Sequence, residues 1–488
     1  QGAGGRESGR PNIVYIMTDD HAYQTVGAYG HPISRLAPTP NIDRLAREGM
    51  LFREAFVENS ISAPSRATLL TGVYSHRHGQ TTLSYGIMDT TLVHFPELLR
   101  AEGYLTAIFG KWHLSVEPKG FDHYDLLWDQ GEYYNPVMRT PETGGRYVRQ
   151  EGYATDIITD HALAWLDARR DDDAPFCLMI HHKAPHRNWM ADLKYLDLYE
   201  DVEFPEPETL FDDYATRGDQ MRQQQLTIDR HMGYAFDFKV EELKDEPTLQ
   251  YIHDSWDIAM STLTPEQRRV WDDSYGRKNR DFLADRPEGK ELLRWKYQRY
   301  IHDYCRTIRS VDDQIGRVLD YLEENGLMDN TLIVYTSDQG FLLGEHGLYD
   351  KRFMYEESFR TPLIMAWRGH IRPGTVCREL VQNIDYAPTL LDAAGVGVPD
   401  GMDGVSLQPL FRSGKARGWR TSLYYQYYDY PAVGSVRAHY GIRTDRYKLI
   451  HWFGPGADGD PDIDFWELYD LRKDPCEVHN VYEERGYL

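Results

Sequence analysis

The stretch NIVYIMTDD at residues 12–20 decides the fold of this chain. Its apolar run ends in polar residues, which predicts a buried strand that carries Asp19 and Asp20 at its carboxyl end. The run TLIVY at residues 331–335 repeats the pattern and precedes Asp338 and Gln339. If both strands belong to one sheet, three carboxylates and an amide oxygen meet at its edge, a set that suits Ca²⁺ or Mg²⁺ better than zinc. A pair of aspartates alone is more often a solvated turn or a helix cap.

Strands and helices alternate along the rest of the chain. Apolar runs predict further strands at residues 106–109, 176–180 and 362–367. Amphipathic segments predict helices at residues 39–49, 92–103, 155–169 and 292–325. Repeated βα alternation of this kind is typical of a doubly wound α/β sheet.

Two segments break the alternation. Residues 189–286 are polar, aromatic and poorly periodic, and we interpret them as an insertion that covers a sheet edge or a substrate cleft. After residue 412, Tyr-rich alternating runs at residues 423–428 and 447–452 are typical of antiparallel strands. We therefore predict one large domain over residues 11–412 and a smaller α+β subdomain with an antiparallel sheet over residues 413–488.

Composition limits the class of partner. Of the 488 residues, 77 are acidic and 54 are basic, which gives a net charge of −23. Such a surface repels nucleic acid and anionic membranes, so an anionic substrate needs a local basic pocket. The sequence has no apolar run of about eighteen residues that predicts a membrane span. The Gly-rich polar segment at residues 1–10 does not resemble a signal peptide, and we interpret the chain as a mature or trimmed form. Free thiols and one disulfide are both compatible with the spacing of Cys177, Cys305, Cys377 and Cys476.

The segment SAPSRATLLTG at residues 62–72 predicts a helix that begins beside an active site. Pro64 suits the first helical turn because it lacks the N–H that would be unpaired there, and Gly72 can adopt the left-handed angles that end a helix. The helix dipole and backbone N–H groups favour an anion beside Ser62, and Arg66 lies one turn further along. The alternative is a capped core helix with a surface arginine.

Cationic segments follow predicted strands. GKWH at residues 110–113 and HHKAPH at residues 181–186 each follow one strand, and YDKR at residues 349–352 lies shortly after Gln339. Doubly wound folds bind ligands at this edge of the sheet. Each segment alone is more often a surface lysine or a capping histidine. Together they can surround the oxygens of an anionic group and supply an acid and a base.

Residues 62–72 resemble the sulfatase signature C/S-x-P-S/A-R-x-x-x-L-T-G at every fixed position. The resemblance covers almost the whole chain and implies an alkaline-phosphatase-like fold, a doubly wound mixed sheet with helices on both faces, with residues 11–412 as the catalytic domain. In this family a maturation enzyme oxidises the first signature residue, here Ser62, to formylglycine, whose hydrated aldehyde is the nucleophile. A serine fits the Ser-type subgroup, and it fits equally a Cys-type enzyme whose cysteine has been replaced.

The resemblance also implies the roles of other residues. The implied ligands of one divalent cation, usually Ca²⁺, are Asp19, Asp20, Ser62, Asp338 and Gln339, the last in place of the commoner asparagine. The implied catalytic residues are Ser62, Arg66, Lys111, His113, His186 and Lys351. His186, helped by Lys351, would protonate the leaving oxygen, and His113 would act as the base. Unmodified Ser62 lacks an adjacent base, so a chain that carries it is expected to bind substrate without turnover. Export to the periplasm or the exterior is likewise implied by the family.

The substrate prediction rests on fewer residues. Asp350 and Arg352 flank Lys351, so both can face a sugar ring and bind neighbouring hydroxyls, or they form a surface ion pair. APHRNW at residues 184–189 and VRAHYGIRT at residues 436–444 resemble bacterial glycan sulfatases acting on N-acetylglucosamine 6-sulfate, which implies His439 as a third sugar contact. We expect a sulfated saccharide partner and hydrolysis of the 6-O-sulfate in host glycans of the heparan sulfate, keratan sulfate or mucin type.

Three alternatives stay open. The chain can be a sulfatase for another sugar sulfate, such as galactosamine 6-sulfate or a 2-O-sulfate. It can be a related phosphohydrolase, although such enzymes generally carry additional His and Asp ligands for a second metal. It can also be a glycan-binding protein whose Ser62 is never oxidised.

Overall fold

The computed structural model describes residues 9–247 and 250–488. The strands are β1 Asn12–Thr18, β2 Met50–Phe52, β3 Ala55–Phe56, β4 Leu105–Gly110, β5 His123–Leu127, β6 Val137–Arg139, β7 Val148–Arg149, β8 Phe176–His181, β9 Thr331–Ser337, β10 Leu342–Leu343, β11 Tyr349–Asp350, β12 Leu363–Ala366, β13 Thr375–Cys377, β14 Val381–Gln382, β15 Leu423–Tyr427, β16 His439–Arg443, β17 Tyr447–Gly454 and β18 Ile463–Asp470. The α-helices are α1 Pro32–Leu36, α2 Pro40–Glu48, α3 Ser62–Thr71, α4 Ser75–His78, α5 Phe95–Ala101, α6 Ala154–Asp167, α7 Asp219–Gln223, α8 Ile228–His231, α9 Gln250–Ser261, α10 Pro265–Ala284, α11 Gly289–Glu324, α12 Glu356–Phe359 and α13 Tyr386–Ala393. Apart from Gly9 and Arg10, the Gly-rich segment at residues 1–10 lies outside the described residues.

One large mixed sheet organises the molecule. Its strand order is β13-β2-β12-β9-β1-β8-β4-β5-β6-β7. Strand β1 pairs in parallel with β8 and β9, and β4 pairs in parallel with β8 and β5. Strand β12 runs antiparallel between β9 and β2, and β6 runs antiparallel to both β5 and β7. The parallel strands therefore form the centre of the sheet, with antiparallel pairing toward both edges.

Both faces of the sheet are covered by helices, as the sequence predicts. Val14 and Ile16 of β1 lie in the apolar core with α2, α6 and α11, whereas Ile13 and Tyr15 lie in the core with α3, α5 and α13. Successive residues of a strand point to opposite faces, so an almost continuous apolar run is required when both faces are buried.

The described part of residues 189–286 contains four α-helices that the sequence analysis did not predict, α7 to α10, and α10 is the longest of them. Helix α10 is 20 residues long and has few apolar positions. Thr264 and Gln267 form a reciprocal capping box, since the N–H of Gln267 donates to Thr264 Oγ1 (3.2 Å) and the N–H of Thr264 donates to Gln267 Oε1 (2.8 Å). Pro265 follows the cap at the first helical position. This T-P-x-Q start is the signal that periodicity alone missed.

The C-terminal part forms a second sheet. Strands β15 to β18 make an antiparallel meander, and the prediction identified two of these four strands. Tyr425, Ile450 and Trp452 are buried in one core with Phe353 and Met354 of the large domain. The boundary between residues 412 and 413 stays a prediction.

The structure resolves one alternative that the sequence leaves open. All four cysteines are free thiols, and three of them are buried. No helix within the described ranges is long and apolar enough to cross a lipid bilayer.

A buried carboxylate on α11 is expected to stabilise the fold. Asp312 is 1% exposed and accepts hydrogen bonds from the N–H groups of Asn41 (3.2 Å) and Ile42 (2.9 Å) at the start of α2. Asp312→Ala leaves these donors unpaired, so we expect a loss of about 1–3 kcal/mol in the free energy of unfolding. The shift of the urea denaturation midpoint measures it.

Asp320→Ala is the matched control. Asp320 lies on the same helix, its side chain is 63% exposed, and it pairs with Arg44 at 2.9 Å. Exposed ion pairs contribute at most about 1 kcal/mol, so this variant is expected to change stability little. Equal losses in both variants would contradict the assigned role of Asp312.

Candidate active site

Four parallel strands deliver their carboxyl ends to one edge of the large sheet, in the spatial order β9, β1, β8 and β4. Main-chain hydrogen bonds join the loops that follow these strands. Asp338 N–H donates to Thr18 O (3.1 Å), Asp19 N–H donates to Ala184 O (3.2 Å), and Lys111 N–H donates to His181 O (2.8 Å). The structure thereby brings together the acidic and basic segments that are far apart in the sequence.

Gly110 shows how closely these loops approach one another. It has a φ of 105°, and a Cβ atom at this position would lie 1.9 Å from the carbonyl oxygen of His181. Only glycine fits both the angle and the space. The glycine before Lys111 is therefore required for the lysine to reach the site.

The three carboxylates lie in one buried cluster. Asp20 N–H donates to Asp338 Oδ1 (3.1 Å), and the Gln339 side-chain amide donates to Asp20 Oδ1. Lys351 Nζ donates to Asp20 Oδ2 (2.6 Å), and Lys111 Nζ donates to Asp19 Oδ2. Each carboxylate is therefore held by groups from other loops.

Burial and neighbouring charges set the protonation of this cluster. Burial raises the pKa of Asp20 to about 7, with Lys351 opposing the rise and the charges of Asp19 and Asp338 adding to it. Burial would also raise the pKa of Asp19, but the charge of Lys111 and other nearby cations outweighs it and holds this pKa well below the usual range. The two adjacent aspartates therefore differ because each faces a different set of cations.

Ser62 is the first residue of α3 and contacts the same cluster. Its hydroxyl donates to Asp338 Oδ2 (3.0 Å) and accepts a hydrogen bond from Arg66 Nε (3.0 Å). Arg66 is buried, donates from Nη2 to Asp338 Oδ2 (3.1 Å), and donates from Nη1 to the carbonyl of Lys111 (3.1 Å). The predicted alternative of a surface arginine is thus wrong. Gly72 ends the helix with a φ of 69°, as predicted.

Two histidines flank the cluster. Nδ1 of His186 donates to the carbonyl of Arg187 (2.6 Å), so Nε2, 3.9 Å from Asp20 Oδ2, is the nitrogen that can exchange a proton in the site. The side-chain amide of Gln130 donates to Nε2 of His113 (3.3 Å). Burial lowers the pKa of both histidines well below the usual value.

The cluster fits a hard divalent cation. Within the part of the chain that the structure describes, Asp19 Oδ1 and Gln339 Oε1 are buried oxygens without a hydrogen-bond partner. Ligand atoms of Asp19, Asp20 and His186 lie within 4.8 Å of one another. Two unpaired buried acceptors next to shared carboxylates are costly unless they bind a cation, and oxygen donors suit Ca²⁺ or Mg²⁺.

The charges of the cluster also favour an anionic ligand. The three carboxylates are paired with three buried cations, Arg66, Lys111 and Lys351. A divalent cation would therefore make the net charge of the cluster positive. This is the local basic site that an anionic substrate needs on a chain of net charge −23.

The predicted sugar-binding residues lie beside Lys351. Arg352 Nε donates to Asp350 Oδ2 (3.1 Å), and both side chains are largely buried. They form an ion pair, as one of the two predicted alternatives stated, but the pair is at the edge of the cluster and not on the open surface. Arg352 also donates from Nη1 to Tyr427 Oη (3.0 Å).

His439 is placed differently from the prediction. It is fully buried, accepts a hydrogen bond from Met354 N–H (3.1 Å) at Nε2, and donates from Nδ1 to the carbonyl of Arg437 (2.8 Å). It also stacks on Trp452, with ring centroids 4.1 Å apart. In this structure both ring nitrogens are occupied by backbone groups, so His439 supports the loop that carries Arg352 and is not presented to a ligand.

Comparisons with known proteins agree with this geometry. The sequence model of the family described as Sulfatase matches residues 11–396. The chain belongs to the sulfatase family. A second model, for the C-terminal part of N-sulphoglucosamine sulphohydrolase, matches residues 344–488 of the sulfatase.

The sulfatase has similar relatives over its full length. It is 44% identical over 490 residues to N-acetylglucosamine-6-O-sulfatase of Bacteroides thetaiotaomicron, a match that covers 99% of this chain and 84% of that protein. A solved structure of BT4656 in complex with its substrate D-glucosamine-2-N,6-O-disulfate is 43% identical, has a TM-score of 0.90, and is matched over 98% of this chain and 94% of that one. The multifunctional alkaline phosphatase superfamily protein PehA of Trinickia caryophylli is 28% identical over 98% of this chain and 92% of that protein. The predicted alkaline-phosphatase-like fold is confirmed.

Two residues of the site were missed by the sequence analysis. Gln130 accepts a hydrogen bond from Lys111 Nζ (2.7 Å) at Oε1 and so links this lysine to His113. Tyr133 Oη donates to the carbonyl of His186 (2.5 Å). Both residues follow strand β5, which the sequence analysis did not predict. The apolar end of this strand, Leu126 and Leu127, is the sequence signal that would have placed them near the site.

Removal of the cation is expected to destabilise the sulfatase. A cation that binds only the folded state raises the melting temperature by mass action, so a chelator should lower it and added calcium should restore it. Differential scanning calorimetry measures both changes.

Asp338→Asn provides the control. It removes one charged ligand of the proposed cation, so chelator should lower the melting temperature of this variant much less. An unchanged melting temperature of the unaltered sulfatase in chelator would count against the cation site.

Proposed function

We propose that this sulfatase hydrolyses the 6-O-sulfate of N-acetylglucosamine in glycans, with a formylglycine at position 62 and one divalent cation. The observation that carries the proposal is the contact of Ser62, the first signature residue, with both Arg66 and Asp338 inside the charged cluster. The choice of sugar is supported by the 44% identity to a N-acetylglucosamine-6-O-sulfatase.

Formylglycine and a divalent cation would supply the nucleophile and additional positive charge. Formylglycine supplies a hydrated aldehyde, and a divalent cation polarises a bound sulfate. Asp19, Asp20, Asp338 and Gln339 would hold the cation, together with residue 62. We assign Ca²⁺ because the four protein donors are oxygens from two loops, and Mg²⁺ is the alternative.

The chain's own residues bind the sulfate and move protons. Arg66, Lys111 and Lys351 are buried cations around the cluster, and they stabilise negative charge that increases in the transition state. Nε2 of His186 would donate the proton that the leaving sugar oxygen accepts, since Nδ1 is fixed on the carbonyl of Arg187. This role requires the doubly protonated ring, which burial disfavours in the free protein and which the negative charge of a bound sulfate would favour. His113 takes up the proton that is released at residue 62, and Gln130 orients its ring.

Asp350 and Arg352 would recognise the sugar ring. The ion pair aligns one acceptor and one donor beside Lys351, which is the pattern needed to bind two neighbouring hydroxyls. Burial would raise the pKa of Asp350, but the charges of Lys351, Arg352 and Arg187 outweigh burial and lower it. A charged carboxylate is a strong acceptor for a sugar hydroxyl.

Maturation and location belong to the same proposal. A chain with unmodified Ser62 binds the sulfated sugar without turnover. Asp338, which accepts the hydrogen bond of the Ser62 hydroxyl, is paired with Arg66 and would hold the cation, so the hydroxyl stays a weak nucleophile. Bacterial glycan sulfatases of this family are typically extracytoplasmic, and we place this protein in the periplasm or outside the cell.

The phosphohydrolase alternative is less well supported. PehA is a 28% identical relative from the alkaline phosphatase superfamily. A second metal would require a second group of ligands, and among residues 9–247 and 250–488 the candidate metal group is Asp19, Asp20 and His186.

The proposal is tested by co-expression with a formylglycine-generating enzyme. Mass spectrometry of the peptide that contains residue 62 should show the oxidised residue, and this protein should release sulfate from N-acetylglucosamine 6-sulfate. Oxidised protein that releases phosphate but no sulfate would replace the proposal with the phosphohydrolase alternative.

The acid role of His186 is expected to depend on the leaving group. His186→Ala in matured protein should lower kcat on an alkyl sugar sulfate by about 10²–10⁴-fold, whereas an aryl sulfate should be affected much less because a phenolate leaves with little protonation. Steady-state kinetics on both substrates measure the difference. Equal losses on the two substrates would remove His186 from this role.

Asp350 and Arg352 are expected to distinguish sugars by the orientation of the 4-hydroxyl. Glucosamine and galactosamine differ only at that hydroxyl, and one lost hydrogen bond to a charged group costs roughly tenfold or more in kcat/KM. Asp350→Ala and Arg352→Ala should each reduce kcat/KM for N-acetylglucosamine 6-sulfate by at least about tenfold. His439→Ala tests the prediction that His439 contacts the sugar. If this variant lowers both kcat/KM and the melting temperature, His439 supports the loop that carries Arg352.

Asp462→Ala, an exposed aspartate in the C-terminal subdomain, serves as the control for these variants. Preference of the unaltered enzyme for the galacto epimer would contradict the sugar assignment and leave the sulfatase activity unaffected.

A further inference from the structure

A cleft of about 180 Å³ opens beside His113 on the outer side of the active site. Its inner wall is apolar and includes Trp112, Leu126 and Leu127. His113 contacts Gln130, which contacts Lys111, so the cleft adjoins the Asp19 side of the charged cluster. The cleft therefore borders the site proposed for the sulfate group, with His113 between them.

Exposed aromatic side chains form the mouth of this cleft. Tyr85 is 74% exposed, Trp128 is 57% exposed and Tyr147 is 38% exposed, and all three line the cleft. Tyr85 comes from the loop after α4 and donates from Oη to Asp129 Oδ1 (2.9 Å), so it is held against the loop that carries Trp128. Exposure of large aromatic side chains to water is unfavourable in the unbound protein. A cluster of them that stays exposed next to an active site therefore indicates a binding surface.

The charges in the cleft are already paired. Arg139 makes a bidentate ion pair with Glu117 (both nitrogens at 3.1 Å) and lies over the rings of Tyr124 and Tyr147. Asp129 is occupied by Tyr85. Arg139 is the one lysine or arginine among the described residues that line the cleft, and both of its terminal nitrogens are engaged by Glu117, so a neutral ring with apolar faces suits the cleft best.

The other side of the site is closed. Asp350 and Arg352 are buried on the Asp20 side of the cluster, next to Lys351, and His439 lies behind them. A sugar whose 4-hydroxyl contacts this ion pair cannot continue there. Its chain then extends from C1, and the cleft beside His113 lies on the Asp19 and Lys111 side of the cluster.

We propose that the cleft formed by Tyr85, Trp128 and Tyr147 is a second sugar subsite, which binds the neutral pyranose attached to C1 of the sulfated residue. This assignment rests on the proposed function, because it takes the 6-sulfated ring as the ligand of the neighbouring site. The aromatic faces stack on the C–H groups of the ring, and the enzyme is thereby adapted to an oligosaccharide end with an uncharged neighbour.

The experiment compares three substrates with the matured enzyme: N-acetylglucosamine 6-sulfate as a monosaccharide, the same residue linked through C1 to galactose, and the same residue linked to glucuronic acid. We expect kcat/KM to be highest for the galactose-linked disaccharide. Trp128→Ala and Tyr85→Ala should each reduce the ratio of kcat/KM for this disaccharide to that for the monosaccharide by roughly tenfold, mainly through KM.

Tyr482→Ala is the matched control. Tyr482 is an exposed tyrosine that stacks on Trp466 of strand β18, and its removal should leave the ratio unchanged. An unchanged ratio in both cleft variants would overturn the subsite. A higher kcat/KM for the glucuronic-acid disaccharide would overturn the assignment of a neutral neighbour.

A binding experiment separates failure of the subsite from failure of the proposed function. If the matured protein does not hydrolyse the monosaccharide, the proposed function fails. Calorimetric titration of the Ser62 form with the galactose-linked disaccharide then tests the cleft directly. Binding that is weakened about tenfold by Trp128→Ala but not by Tyr482→Ala would support the subsite, and equal binding by all forms, or none by any, would overturn it.

Discussion

The buried charges at the strand ends must neutralise one another, and the rest of the molecule depends on this constraint. Asp19, Asp20 and Asp338 are buried, and each contacts a buried lysine or arginine from another part of the chain. A buried charge without its partner costs several kcal/mol, about 3–5 when one member of a pair is removed. The order of the central strands and the hydrogen bonds between their loops keep all six groups in place. Activity is thus tied to the same charges that the fold must neutralise.

The C-terminal sheet completes the site by holding the loop that carries Lys351. Asp350 and Arg352 have φ angles of 80° and 87°, a region that non-glycine residues seldom occupy. Tyr425 Oη donates to the carbonyl of Arg352, and His439 accepts from the N–H of Met354. Such angles persist only where the surroundings determine the backbone fully, and they cluster at functional sites. The smaller sheet therefore contributes to the active site by holding the backbone of the Lys351 loop in place.

The predictable parts of this protein are those with strong local signals. The strand at residues 12–18 and the helix at residues 62–71 were predicted, because an unbroken apolar run and an N-terminal proline are local features. Helix α10 was missed because its surface is mostly polar and its only clear signal is the capping box at Thr264. Gln130 was missed because strand β5, which precedes it, was not predicted, and the glutamine itself has no distinctive pattern. Its role becomes visible only through its contacts with Lys111 and His113.

The sequence by itself determined the fold class, the sulfatase signature and the residue types that the chemistry requires, since these depend on periodicity and on short motifs. Only the tertiary structure decided which groups meet. It paired Asp19 with Lys111 and Asp20 with Lys351, buried the ion pair of Asp350 and Arg352, and turned His439 toward the backbone. The physical reason is that charges and hydrogen-bonding groups pair only at distances of a few ångströms. Strand order brings Asp19 to Lys111 across 92 residues and Asp20 to Lys351 across 331 residues of sequence.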